Sequence, residues 1–298
     1  MKVETAIKEF ITEAEIRKYT PKTIKGYRRN LGLFLRFCEG IGICDVGDIT
    51  LAVTRQFTQY FVNKGRKGTY INGLLKVVKS FVQYCYDEGY GGFNTRLSFR
   101  WCKEEKPVIR AFSGEQVKYI MRQANGHDFL SVRDYAILTT MFDTGLRCWE
   151  LCCIKPSDVH DDHLVITAGK NHKQRVAPLT PLKKALLKYR VAKDNYFALK
   201  NIDDYLFLSF HGRQLTNSAV EHIIKRRAEG METDGVRVSP HTCRHTFAQQ
   251  QIKMGTDLYT ISRLLGHENI QITQTYLDSL RDEEVIAIAK NNSVLMNI

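Results

Sequence analysis

His241-Thr242-Cys243-Arg244-His245-Thr246-Phe247-Ala248 follows Ser239-Pro240, an N-cap and first-turn proline, and so opens a helix. His241 and Arg244 stand three apart on it, on one face, where both can reach one ligand. Upstream lies Thr144-Gly145-Leu146-Arg147-Cys148-Trp149-Glu150-Leu151, with Gly145 a suitable stop for a helix from Asp134 to Asp143. Between the two, Gly169-Lys170-Asn171-His172-Lys173-Gln174-Arg175 spans the basic tip of a hairpin with strands at 164–167 and 175–177. Downstream, Leu264-Leu265-Gly266-His267-Glu268-Asn269 is followed, nine residues after His267, by Tyr276. Each segment has an ordinary explanation alone: a salt-bridged helix start, a solvated hairpin tip, a core tyrosine. Their order along one chain gives them weight.

Two Arg, a Lys, two His and a Tyr together suit one reaction. Guanidiniums grip the non-bridging oxygens of a phosphodiester in forked geometry and stabilise charge developing on a pentacoordinate phosphorus. Tyr276 can attack as a covalent nucleophile, conserving the phosphodiester energy as phosphotyrosine. His241 can take the phenolic proton, and Lys170 can protonate the leaving 5′-oxygen. The Arg pair supplies the positive charge, so no metal or nucleotide cofactor is expected. His241 and His245, four apart, have a helical zinc spacing, but a third ligand is missing. There is no G-x-x-x-x-G-K-[ST] and no G-x-G-x-x-G, which argues against ATP or NAD dependence.

The composition agrees. At 298 residues, 43% hydrophobic and 26% charged, the chain is globular and long enough for two domains. It carries 44 Lys+Arg against 32 Asp+Glu, a net +12 that favours an anionic polymer as partner. No signal-length apolar run opens it and no 18-residue apolar stretch occurs, so a cytoplasmic, nucleoid-associated protein with no membrane contact is expected. The eight Cys are then read as reduced and mostly buried.

Residues 1–107 hold 19 Lys+Arg and 11 Asp+Glu, two-thirds of the whole excess. This part reads as helical. Thr20-Pro21 starts one helix, another follows Asp48-Ile49-Thr50, and a third runs from about Thr69. On the third, Asn72, Lys76, Lys79 and Gln83 share the face opposite the apolar one; Lys can neutralise phosphate, and Asn or Gln can pair with adenine. Lys22, Lys25 and Arg29 on the first of these helices join them as candidate DNA contacts. The division expected is a helical DNA-binding domain over 1–92, a linker over 93–108 and a catalytic domain over 109–298. The fold class is mainly α with a small antiparallel β-sheet.

On these motifs the chain resembles the tyrosine recombinases of the lambda-integrase and Xer-like family over nearly its whole length. The resemblance implies a helical core-binding domain and a mixed α/β catalytic domain. It implies catalytic roles for Arg147, Lys170, His241, Arg244, His267 and Tyr276. Glu150 supports the first Arg, and His245 matches a structural His. Asn171 stands where the family often has glycine, and Lys173 is close by, so either Lys170 or Lys173 can be the acid. The implied reaction is site-specific recombination of double-stranded DNA through a 3′-phosphotyrosine and a Holliday junction, by a homotetramer, on a mobile element. Accessory DNA-bending or directionality proteins are possible partners. A helix at 282–298, with Val285, Ile286, Ile288 and Ala289 as an apolar strip, would dock on the next protomer. The alternatives are a catalytically silent DNA-binding regulator of the same fold and a type IB topoisomerase-like relaxing enzyme.

Overall fold

The computed structural model describes residues 1–90, 99–105, 109–167, 174–179, 182–198, 200–280 and 286. Lys170, Lys173 and the terminal helix expected at 282–298, apart from residue 286, lie outside the described residues, as do 93–98 and 106–108 of the expected linker. The chain forms two compact units, Met1–Pro107 and Val108–Ile298.

Among its described residues the first unit has four α-helices: α1 (Val3–Ile16), α2 (Pro21–Gly40), α3 (Leu51–Asn63) and α4 (Gly68–Asp87). Thr20 caps α2 by accepting the Thr23 N–H at 3.2 Å, as the Thr-Pro start requires. Apolar positions at helical spacing (Leu31, Phe34 and Cys38 on α2; Ile71, Leu74, Leu75, Val78 and Phe81 on α4) meet in one core. At its centre Phe34 and Phe57 pack edge to face, 5.1 Å apart.

The described part of the expected linker is not free chain. Phe99 and Cys102 pack against this core, and Lys79 lies over the Trp101 ring at 5.8 Å. Asn72 is buried beneath it, a correction to its place among the exposed residues of α4. Its amide donates to the Cys102 carbonyl and accepts the Cys102 N–H, both at 2.9 Å, and donates to Glu104. A side-chain amide can pair both backbone groups of one residue, and here that pairing leaves nothing to offer a base.

The second unit begins with α5 (Gly114–Gln123) and α6 (Phe129–Thr144). Ser113 and Gln116 form a reciprocal capping box at the start of α5. Helix α6 starts five residues before the expected Asp134, because Asp128 accepts the Ser131 N–H at 3.1 Å. Buried residues encircle α6, making it the central helix of the unit. Then come α7 (Cys148–Cys153), strands β1 (His163–Ile166) and β2 (Arg175–Pro178), and α8 (Leu182–Tyr196). The strands are antiparallel, Ile166 facing Arg175 and His163 facing Pro178, as the hairpin pattern predicted. The unit continues with α9 (Asn217–Arg227), α10 (Pro240–Lys253), α11 (Leu258–Leu265) and α12 (Ile270–Leu277). Among the described residues no helix is long and apolar enough to cross a membrane. All eight Cys are free thiols; four are buried and Cys44 is exposed.

Inside this unit Asp134, with no exposed surface, accepts hydrogen bonds from three guanidiniums: Arg133 (2.8 Å), Arg226 (2.6 Å) and Arg227 (2.8 Å). These bonds tie α6 to the end of α9. Removing the carboxylate leaves Arg133 and Arg227 largely buried without a counter-charge, while the half-exposed Arg226 can turn to water, so Asp134→Ala should cost about 3 kcal/mol, the lower end of the penalty for breaking a buried ion pair. Chemical denaturation of the full chain would measure it; a loss under about 1 kcal/mol would mean solvent already carries these charges.

Candidate active site

Two left-handed glycines end the helices that frame the site. Gly145 (φ +58) closes α6, and a Cβ there would stand 2.5 Å from the Phe247 ring. Gly266 (φ +64) closes α11, and a Cβ there would stand 2.8 Å from the Arg175 side chain. Only glycine fits both the backbone and the space. Ser239 caps α10 by accepting the Thr242 N–H, setting His241, Arg244 and His245 on the first two turns. Beneath them Phe247, Ala248, Ile252, Ile261, Leu265 and Tyr276 form a small core that fixes α10, α11 and α12 together. Beyond Tyr276, Gln249 donates to Ser279, whose hydroxyl donates to the Tyr276 carbonyl at 2.7 Å, pinning the exit of α12.

Three arginines converge on the end of α11. Arg175 donates to the Leu264 carbonyl, Arg244 to that of Leu265 (2.8 Å) and Arg147 to that of Gly266 (3.3 Å). Arg244 donates its other amino group to the Gly145 carbonyl at 2.8 Å. These are orphan carbonyls at the negative ends of two helices, natural acceptors for cations. Glu150 is the carboxylate of the cluster. It accepts from the Arg147 guanidinium (2.9 Å), from the Arg147 N–H (2.8 Å) and from Arg175 (2.5 Å). One negative charge against three positive ones suits an anion rather than a metal ion. Burial, then the charges of Arg147 and Arg175, holds the Arg244 guanidinium down to about 10. It remains protonated at neutral pH. The Arg147 side chain is 42% exposed, so this cationic site opens to solvent.

Tyr276 is buried, 4% exposed, between two imidazoles. The His267 ring lies parallel to it at 6.2 Å, with His267 Nδ1 and the Thr273 hydroxyl hydrogen-bonded at 2.8 Å. On the other side His245 Nδ1 is 3.2 Å from the phenolic oxygen. Burial pushes the phenol up, and the Arg244 and Arg147 charges only partly offset it. Burial, with the same arginines beside it, brings His267 down to about 3. Burial, then His241 and Arg244, brings His245 down to about 4.

The site gathers Arg147, Glu150, Arg244, His267 and Tyr276. His241 is exposed at the start of α10, its ring 6.5 Å from that of His245, and among the described residues it makes no hydrogen bond to the phenol. One helical turn further on, it is His245 whose Nδ1 meets the Tyr276 hydroxyl. Arg175, the first residue of β2, escaped the sequence reading. The one signal for it was a single acid, Glu150, among more arginines than it could balance alone. In the first unit Lys22, Lys25, Arg29, Lys76 and Lys79 are exposed, while Gln83 is half-buried and donates to Asp87 at 2.6 Å.

The model of the phage integrase family matches residues 110–283, and that of the phage integrase N-terminal SAM-like domain matches residues 7–89. Tyrosine recombinase XerC of Bacillus pumilus (strain SAFR-032) is 31% identical over 287 residues, covering 91% of this chain and 92% of its own. XerC of Pseudomonas syringae pv. syringae (strain B728a) is 28% identical over 265 residues, covering 87% and 86%. Among solved structures, a lambda integrase (75-356) dimer bound to a COC' core site has a TM-score of 0.77 at 17% identity, covering 95% of this chain and 97% of that one. That likeness speaks for the fold, and the matches along the sequence speak for the kinship. The chain belongs to the phage integrase family and is a tyrosine recombinase, a site-specific DNA recombinase.

Proposed function

We propose that the enzyme cuts and rejoins DNA through a 3′-phosphotyrosine on Tyr276, passing through a Holliday junction, at the ends of a mobile element. The observation that carries this reading is the meeting of Arg147 and Arg244 beside a buried phenol. Their remaining N–H donors would hold the two non-bridging oxygens of the scissile phosphate and favour the phosphorane. Glu150, itself held by Arg175, holds Arg147 in place, and His267 stacks on the nucleophile. Lys170 or Lys173, from the hairpin ahead of β2, would protonate the leaving 5′-oxygen. His241, exposed at the mouth of the site, would add a phosphate contact.

The first unit would serve as the core-type DNA-binding domain, with Lys22, Lys25, Arg29, Lys76 and Lys79 on phosphates. Gln83 would join them once released from Asp87. Four copies would act on two sites, with the residues after Tyr276 linking neighbours head to tail into a ring. The phage integrase models that match both parts of the chain support the mobile-element reading. Mapping the captured DNA to an element end or to a chromosomal site tests this part. We place the enzyme in the cytoplasm on the nucleoid, where its DNA lies.

Tyr276→Phe should bind DNA as the wild type does and form no covalent adduct on a nicked duplex. An adduct from the Phe variant would end the assignment. Arg147→Lys keeps the charge but loses the fork, and should slow adduct formation by about 10²–10³, the cost typical of one lost oxyanion donor. Near-wild-type cleavage by this variant would reduce Arg147 to a structural salt bridge. A regulator without chemistry would bind DNA and give no adduct with any variant, the wild type included.

The site also sets a pH dependence. His267 and His245 stay neutral when folded, down to about 3 and about 4, whereas unfolded His protonates near 6.5. Below pH 6.5 the unfolded chain binds more protons, so stability present above that pH is lost as pH falls toward 4. His267→Gln removes one such group and should shrink the drop in Tm between pH 7 and pH 5. An equal drop in variant and wild type would mean His267 is solvated enough to protonate in place.

A further inference from the structure

The Tyr276 hydroxyl needs a partner that can accept its proton when the oxygen attacks. The hydrogen-bonded neighbour is His245, whose Nδ1 lies 3.2 Å from that oxygen, with the two rings 5.4 Å apart. The groups around the imidazole are His241 and Arg244 on its own helix, Tyr276 on α12 and His267 on the turn between α11 and α12. Burial and the first two of these keep the ring neutral at physiological pH, so a lone pair is available.

We propose that His245 takes the phenolic proton of Tyr276 as that oxygen attacks the DNA phosphorus. The inference rests on Tyr276 being the nucleophile. The phenolic O–H bond breaks as an N–H bond forms at His245 Nδ1, with Nε2 carrying the proton of the neutral ring. The Oη–P bond forms and the P–O5′ bond breaks, the leaving oxygen receiving its proton from the hairpin lysine. A phosphodiester on Arg147 and Arg244 brings a negative charge that offsets the cations depressing the imidazole. The base thus strengthens as the substrate arrives. In religation the imidazolium returns the proton to the departing phenol.

The probe is a nicked duplex, recovered from a randomised pool by covalent capture on the wild-type enzyme. His245→Asn keeps an amide near the Nδ1 position but cannot take a proton. At pH 7 it should form adduct about 10²-fold slower or less, while binding the duplex normally, a loss in the range general-base catalysis supplies. With the imidazole neutral down to about 4, wild-type adduct formation should hold from pH 8 to pH 5, whereas His245→Asn, left to attack as the rare phenolate, should lose rate as pH falls over that range. A trifluorinated tyrosine at position 276 loses its proton more readily. It should restore adduct formation roughly tenfold or more in His245→Asn, and far less in Arg147→Lys, whose defect is not proton removal. A wild-type rate that falls about tenfold per pH unit across that range, the mark of attack by free phenolate, overturns the proposal, whether or not the variant folds. So does a His245→Asn rate within about threefold of wild type, or equal rescue in both variants. If the wild type captures no duplex at all, the nucleophile reading fails first and this one with it.

Discussion

Three consecutive carbonyls, those of Leu264, Leu265 and Gly266, each receive an N–H from a different arginine. Everything the site does follows from that fan. A helix end leaves its last carbonyls without intrahelical partners, and a left-handed glycine turns the chain sharply enough to present them together. Arg147 comes from the start of α7, Arg175 from β2 and Arg244 from α10, so one helix terminus sets the spacing of three elements. Glu150 then locks two of the three from the opposite side. Arg244, which donates to two neutral carbonyls and not to Glu150, keeps its charge for a ligand.

The frame of this arrangement is legible in the sequence because it rests on local chemistry. Gly145 and Gly266 announce helix ends, Ser113 with Gln116 announces a capping box, and Ser239-Pro240 announces the start of α10; each needs only neighbours within four residues. The basic hairpin is similarly local, and its strands pair as the pattern suggests. The set of Arg147, Arg244, His267 and Tyr276 is readable from order and spacing, since their chemistry makes sense only together.

What stayed hidden depends on distant partners. Asn72 sits at the right helical spacing for an exposed face, but its fate is decided by Cys102, thirty residues on. His241 and His245 are one turn apart on the same side of α10. Which of them meets the phenol depends on how α12 packs across that helix, which no periodicity in α10 records. Arg175 reads as a strand residue until the fold brings Glu150 beneath it. The early start of α6 is a smaller miss of another kind, since the Asp128 cap was local and was passed over.

The two buried clusters of the second unit have a common arithmetic. Asp134 meets three arginines and Glu150 gathers two, with Arg244 beside them, so each cluster leaves two positive charges unbalanced. Together these account for the whole excess of residues 108–298; outside them that stretch carries 19 Lys+Arg and 19 Asp+Glu. Long-range attraction toward a polyanion therefore belongs to the first unit, with its +8. The second unit is nearly neutral away from its two cationic points. Ionic strength will then act on the two halves differently, screening the spread charge of the first more than the paired and partly buried charges of the second.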